Sequence, residues 1–323
     1  MNAIAAFLNA TPWLRFAVDI ASVVIPMSAL LALAGTGLLS ATAKILFIRR
    51  KRASFDKCAR QLAALGLALG WLLLIGGRVW LSLAGQPENS LQTFVTEICW
   101  ILLCAGVLLI SLYYALWKHL SGFPVVHAAI GILSGLQGCA ALVAALAATR
   151  YLAALAEPDA GIPVPQNLFL PDWSAPFWNA LCYTPLLVLA MPGAFGALWL
   201  AFRRKYEDFG RDYYNTMIPW CAAWARNAWG LLWLMLLVSS AAQIYRQHGG
   251  FNAQDAVFQT TQLLLWLLPA LIWTIVCRSA TALRHKFALF AALFVAMAFM
   301  LPYYLEVTNL HPENFLHGMQ NTQ

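Results

Sequence analysis

Lys44-Ile45-Leu46-Phe47-Ile48-Arg49-Arg50-Lys51-Arg52-Ala53-Ser54-Phe55-Asp56-Lys57-Cys58-Ala59-Arg60 decides the fold class of this chain. It holds seven cations and one acid between two long apolar runs, Ile20 to Ala43 and Gln61 to Gly77. Two runs near the roughly 20 residues that span a bilayer, joined by a basic turn, read as a membrane hairpin with its turn in the cytoplasm. Weaker copies of that pattern recur three times downstream. The repeat, of about 80 residues, is one of hairpins only, without residue-by-residue identity.

Composition bounds the rest. With 62% hydrophobic and 10% charged residues over 323 positions and a mean hydropathy of +0.70, the chain has too little polar surface for a soluble protein. The net charge of +7 sits in short turns, so it signals orientation in a membrane and not nucleic acid. The seven cysteines form no CxxC or CxxCH and lie mostly in apolar runs, which points to packing rather than disulfides or covalent haem attachment. No lysine or arginine occurs in the first twelve residues, so a cleaved signal peptide is not expected.

Hydropathy places eight spans, near 17–43, 61–84, 95–117, 125–150, 177–202, 217–243, 258–277 and 287–305. Fifteen of the twenty cations then fall in turns on one side, and four (Arg15, Arg78, Arg150, Arg246) on the other. The asymmetry predicts both termini outside the cytoplasm. The expected architecture is an all-α polytopic membrane protein of eight helices, arranged as four hairpins in two four-helix bundles, 1–150 and 177–323. The second bundle carries a polar C-terminal tail, and residues 151–176 form a Pro- and Trp-rich extracytoplasmic loop between the bundles. Gly66/Gly70 and Gly131/Gly135 are the expected close helix contacts. Pro185, Pro192 and Pro269 fall inside spans, where they imply kinks or, in a transporter, a broken helix.

Charged groups within a membrane are costly and mark sites first. Counted from Trp220, six residues of helix put Arg226 about 9 Å deep, with no acid expected at that level. Its partners are then backbone carbonyls, water or a ligand bearing acceptor oxygens, such as a quinone, a haem propionate or a lipid headgroup, unless it snorkels to the interface and stacks on Trp229. Asp19, Arg78 and Glu97 cluster near the outer face. They form either an ion-pair set locking the first three spans or a site where one carboxylate accepts a proton from a bound quinol. The histidines suit a bis-histidine haem poorly, because His119 and His285 lie in turns. The one arrangement left joins His127 to His285 or to a methionine. No phosphate loop, HExxH, GxSxG or cysteine metal pair is present, so no metal site and no self-contained catalytic site is expected.

Arg15-Phe16-Ala17 opening the first span, Val24-Ile25-Pro26-Met27-Ser28, the basic turn Arg49 to Arg52, Ser54 to Arg60 and the Gly-rich second span Leu65 to Gly77 together resemble the first hairpin of subunit I of the cytochrome bd quinol oxidases. The match covers about residues 13–80. Two departures stand out: the first span contains no histidine where that family ligates haem, and the long quinol-binding loop is missing. The resemblance therefore implies a related scaffold in the bacterial inner membrane, with a quinone- or partner-binding role and not oxygen reduction. The expected function is a membrane subunit of a respiratory quinone-linked electron-transfer complex, anchoring an extracytoplasmic or membrane redox partner. The alternatives are a small-solute or anion transporter, suggested by the prolines and Arg226, and a non-catalytic structural or assembly subunit.

Overall fold

A computed structural model of the chain describes residues 11–84, 90–156, 176–246 and 253–301. All regular structure among them is helical, and eight helices are long and apolar enough to cross a membrane. They are α1 (Pro12–Arg50), α2 (Ala53–Ala84), α3 (Ser90–Ala115), α4 (Pro124–Ala156), α5 (Pro176–Arg203), α6 (Arg211–Arg246), α7 (Ala253–Arg278) and α8 (Lys286–Phe299), the last preceded by a 3-10 turn at Ala282–His285. Most of the loop expected at 151–176, and the C-terminal tail, lie outside the described residues.

The basic stretch is far more helical than a turn. Pro12 opens α1, which runs on through the first cations, and only Lys51 and Arg52 separate it from α2. Lys51 adopts the left-handed conformation, φ 53°, and its N–H caps the Phe47 carbonyl at 2.8 Å. The cations thus extend the helices beyond their apolar segments.

In the first half α1 packs on α2 and α4, α2 on α3, and α3 on α4. The second half has the same pattern, with α5 on α6 and α8, α6 on α7, and α7 on α8. The halves meet chiefly where α1 lies against α5. Helix α1 is the most enclosed of the eight, with Ala32, Ala34, Thr36, Ser40 and Ala41 fully buried. One apolar core passes through both halves, from Leu31 and Leu142 to Leu187, Trp229 and Trp273.

Lipid offers no hydrophobic gain for bringing helices together, so close backbone approach has to do it. Gly37 faces Gly131 and Gly135 of α4, and Gly138 faces Ala34. The expected contact glycines are placed likewise, Gly66 against Thr36 and Ile110, and Gly70 against Val107. At the α1–α5 crossing, Gly35 lies on the Val188 carbonyl and the Pro192 ring. Pro192 has no N–H to offer the carbonyl four residues earlier, so α5 exposes an unladdered oxygen where α1 comes closest. Both α5 and α7 remain continuous through Pro185, Pro192 and Pro269. Near Pro269, the Trp229 indole donates to the Trp266 carbonyl at 2.7 Å and that of Trp233 to Leu263 at 2.8 Å.

Candidate functional site

Arg226 finds its partner next to it in the chain. Its Nε and Nη2 both donate to Asn227 Oδ1, at 3.0 and 2.8 Å. Trp229 does not receive the guanidinium, because its ring stacks on Trp266 at 5.4 Å and meets Trp273 edge-on at 6.0 Å. A guanidinium can only donate, so the Asn227 amide must turn its oxygen to Arg226, which leaves the –NH2 free to point elsewhere. Asn227 lines a crevice of about 300 Å³ between α5 and α6, with Leu186, Leu189, Trp220, Trp224 and Leu231 among its other walls. Two indoles one turn apart, 6.3 Å between centroids, and one oriented amide donor make this an aromatic, mostly apolar pocket within the spans.

The other predicted groups are arranged differently. Arg78 and Glu97 are exposed on α2 and α3, which pack together. Asp19 belongs to α1, but its side chain is outside the described residues. His127 is fully buried, its Nε2–H donating to the Tyr113 carbonyl at 2.8 Å. That carbonyl is free because α3 ends at Ala115 and the Trp117 N–H turns to Tyr114 instead, so the imidazole caps the helix. Tyr113 stacks on the ring at 4.4 Å and Trp117 meets it edge-on at 4.5 Å. His285 Nε2 hydrogen-bonds Ser279 Oγ at 3.0 Å within the 3-10 turn region. The two histidines belong to separate helix groups, α4 with α1 and α3, and the 3-10 turn with α6, α7 and α8. Among the described residues no group of His, Cys, Asp and Glu is placed to hold a metal ion.

Two polar networks leave no motif in the sequence. Lys44, 3% exposed, pairs with Asp56 at 2.5 Å and lies over the Trp117 ring at 4.7 Å. Trp117 Nε1 reaches Asp56 Oδ2 at 3.4 Å. Ser40 Oγ donates to the Ala59 carbonyl at 2.6 Å, so the Tyr113 hydroxyl, 3.1 Å away, donates to Ser40. His127 Nδ1, beside this cluster, has no hydrogen-bond partner among the described residues.

The second network centres on Gln61. Its amide donates to Glu207 Oε2 at 3.0 Å and accepts from the Tyr213 hydroxyl at 2.8 Å, while its carbonyl accepts from Trp199 Nε1 at 3.0 Å. Arg203 donates to the other Glu207 oxygen at 2.9 Å, and the Tyr214 hydroxyl donates to the Glu207 backbone carbonyl. The Arg203 hydrogen bond holds the Glu207 carboxyl below the usual carboxylate range, with desolvation opposing it and the Gln61 bond reinforcing it. Only a pairing across about 146 positions, Gln61 to Glu207, could have revealed this tie, and a single sequence carries no signal for it.

A second cavity, about 370 Å³, lies between α1, α4 and α5, and its walls are almost wholly apolar. No family model matches the chain, and the comparisons with curated proteins and with solved structures return no match either.

Proposed function

We propose that this chain is an integral membrane subunit of a quinone-linked electron-transfer complex. Its helices form four hairpins in two four-helix bundles, with both termini on the extracytoplasmic side of a bacterial inner membrane. The observation that carries the reading is the α5–α6 crevice, where Arg226 fixes Asn227 as a hydrogen-bond donor one turn beyond the pair Trp220 and Trp224 on the same helix. A quinone suits it on three counts. Its flat ring can lie against indole faces, its carbonyl oxygens accept from an amide, and its low polarity suits a site reached from lipid. When bound, a quinone supplies two-electron, two-proton carrier chemistry. The chain's own residues bind it, with Asn227 orienting one carbonyl and the indoles excluding water. Arg78 and Glu97, exposed on α2 and α3, offer the charged surface to which an extracytoplasmic redox partner would attach.

The test uses the full chain in lipid nanodiscs and an alkylated benzoquinone bearing a photoreactive group. Saturable labelling should map to α6 around Trp220 to Asn227. Asn227→Leu, which removes one hydrogen bond in a dry site, should weaken binding by about tenfold, whereas Glu97→Gln should leave it unchanged. Labelling that is unsaturable in the wild type would sink the quinone reading. Indifference to Asn227→Leu together with a response to Glu97→Gln would move the site to the outer face.

A further inference from the structure

We infer that the cavity between α1, α4 and α5 receives the apolar tail of the ligand whose ring occupies the α5–α6 crevice, an inference that rests on reading that crevice as a ligand site. The groove has a clear structural origin. Helices α4 and α5 each pack on α1 but make no extensive contact with each other, so a channel opens between them with α1 as its floor. The close α1–α4 and α1–α5 approaches use Gly37, Gly135, Gly138 and Gly35, and glycines supply no side chains to fill the gap. Leu38 forms the floor, Cys139, Leu142 and Val143 one wall, and Thr184 and Val188 the other.

The occupant follows from position and from the neighbouring crevice. The groove lies among membrane spans and its lining is apolar, which excludes a hydrated solute. Leu189 lines both this groove and the Asn227 crevice, so the two cavities adjoin at that side chain, and a ligand chain that passes over it reaches from one to the other. From Leu189 to Leu181 the groove follows α5 toward its Pro176 end for about 12 Å, a path for a single flexible hydrocarbon chain. The ring and tail would then lie on two adjoining facets of α5, so the ligand touches both halves of the chain. Because surrounding lipid is as apolar as the groove, the gain must come from packing and is modest.

The experiment compares two probes on the full chain in nanodiscs, a benzoquinone with a ten-carbon alkyl tail and the same ring with a methyl group in its place. Affinities are referred to each compound's concentration in the bilayer, so that partitioning cancels. The wild type should prefer the tailed compound by about tenfold. Cys139→Trp, which fills the groove, should abolish that preference and leave the affinity of the methyl compound unchanged. Blocking Cys139 with a hexyl thiosulfonate, in a background where the other partly or fully exposed thiols Cys99, Cys104, Cys182 and Cys277 are replaced by serine, should do the same and be reversed by reductant, which separates groove filling from misfolding. A tail preference that survives both blocks overturns the inference while the ring site stands. If both blocks instead displace copurified phospholipid and leave both quinones unaffected, the groove holds a lipid chain and the inference is also overturned. A wild type that binds neither compound removes the ring site as well.

Discussion

Asp56 is what makes Lys44 tolerable inside the protein. Six residues of helix separate Lys44 from the end of α1 at Arg50, about 9 Å, and a lone ammonium at 3% exposure would be strongly disfavoured. The carboxylate at 2.5 Å and the indole face of Trp117 replace its water. Asp56→Ala should therefore destabilise the protein by on the order of 3 kcal/mol, since it leaves an uncompensated buried charge. Lys44→Met should cost less, because the Asp56 side chain is 30% exposed and can rehydrate. The Lys44→Met, Asp56→Asn double variant should recover most of the loss in denaturant titrations in mixed micelles, and simple additivity would show that the pair is not coupled. In the sequence Lys44 reads only as an orientation charge, because charge counting gives the side of the membrane and not how far a helix continues beyond it. The capping role of His127 was hidden for a related reason. Its partner is a carbonyl released where α3 ends, and no glycine or proline marks that end until Gly122 and Pro124.

Between elements, the crossing of α1 and α5 is the contact that tolerates least change. A side chain at Gly35 would run into the Val188 carbonyl and the Pro192 ring, both of them rigid. Gly35→Val should cost at least the upper end of the ~1–3 kcal/mol typical of overpacking, read as a fall in thermal midpoint and in monodisperse yield. At Gly76 of α2 an added methyl group would meet nothing within 4 Å, so Gly76→Ala should be neutral or gain up to about 1 kcal/mol from helix propensity. Equal effects of the two substitutions would show that the crossing is not a close contact. The glycine pairs of α2 and α4 could be expected at interfaces because small residues at helical spacing mark close approach. That Gly35 would meet Pro192 could not, because the match depends on which carbonyl a proline frees in a helix more than 150 positions away.

For the whole molecule, the eight spans were readable because each is a long apolar run bounded by charge, whereas the way the halves join was not. Besides the α1–α5 core, α2 of the first half is tied to the α5–α6 connection of the second by Gln61 and Glu207. That tie should make the assembly sensitive to acid. Because the folded carboxyl of Glu207 titrates below its unfolded value of about 4.3, the stability it contributes is fully present above that pH. It is lost as pH falls through the lower folded value. The Glu207 side chain is 35% exposed, so solvent screening limits the effect to about 1 kcal/mol or less. Glu207→Gln should lower stability by that amount near neutral pH and flatten the profile below about pH 4.3, because a neutral amide has no proton to take up. Thermal midpoints followed across that range by tryptophan fluorescence decide the matter. If wild type and Glu207→Gln lose stability in parallel on acidification, the acid sensitivity lies in other carboxylates and the tie between the halves is held by Gln61 with Tyr213 and Trp199 alone.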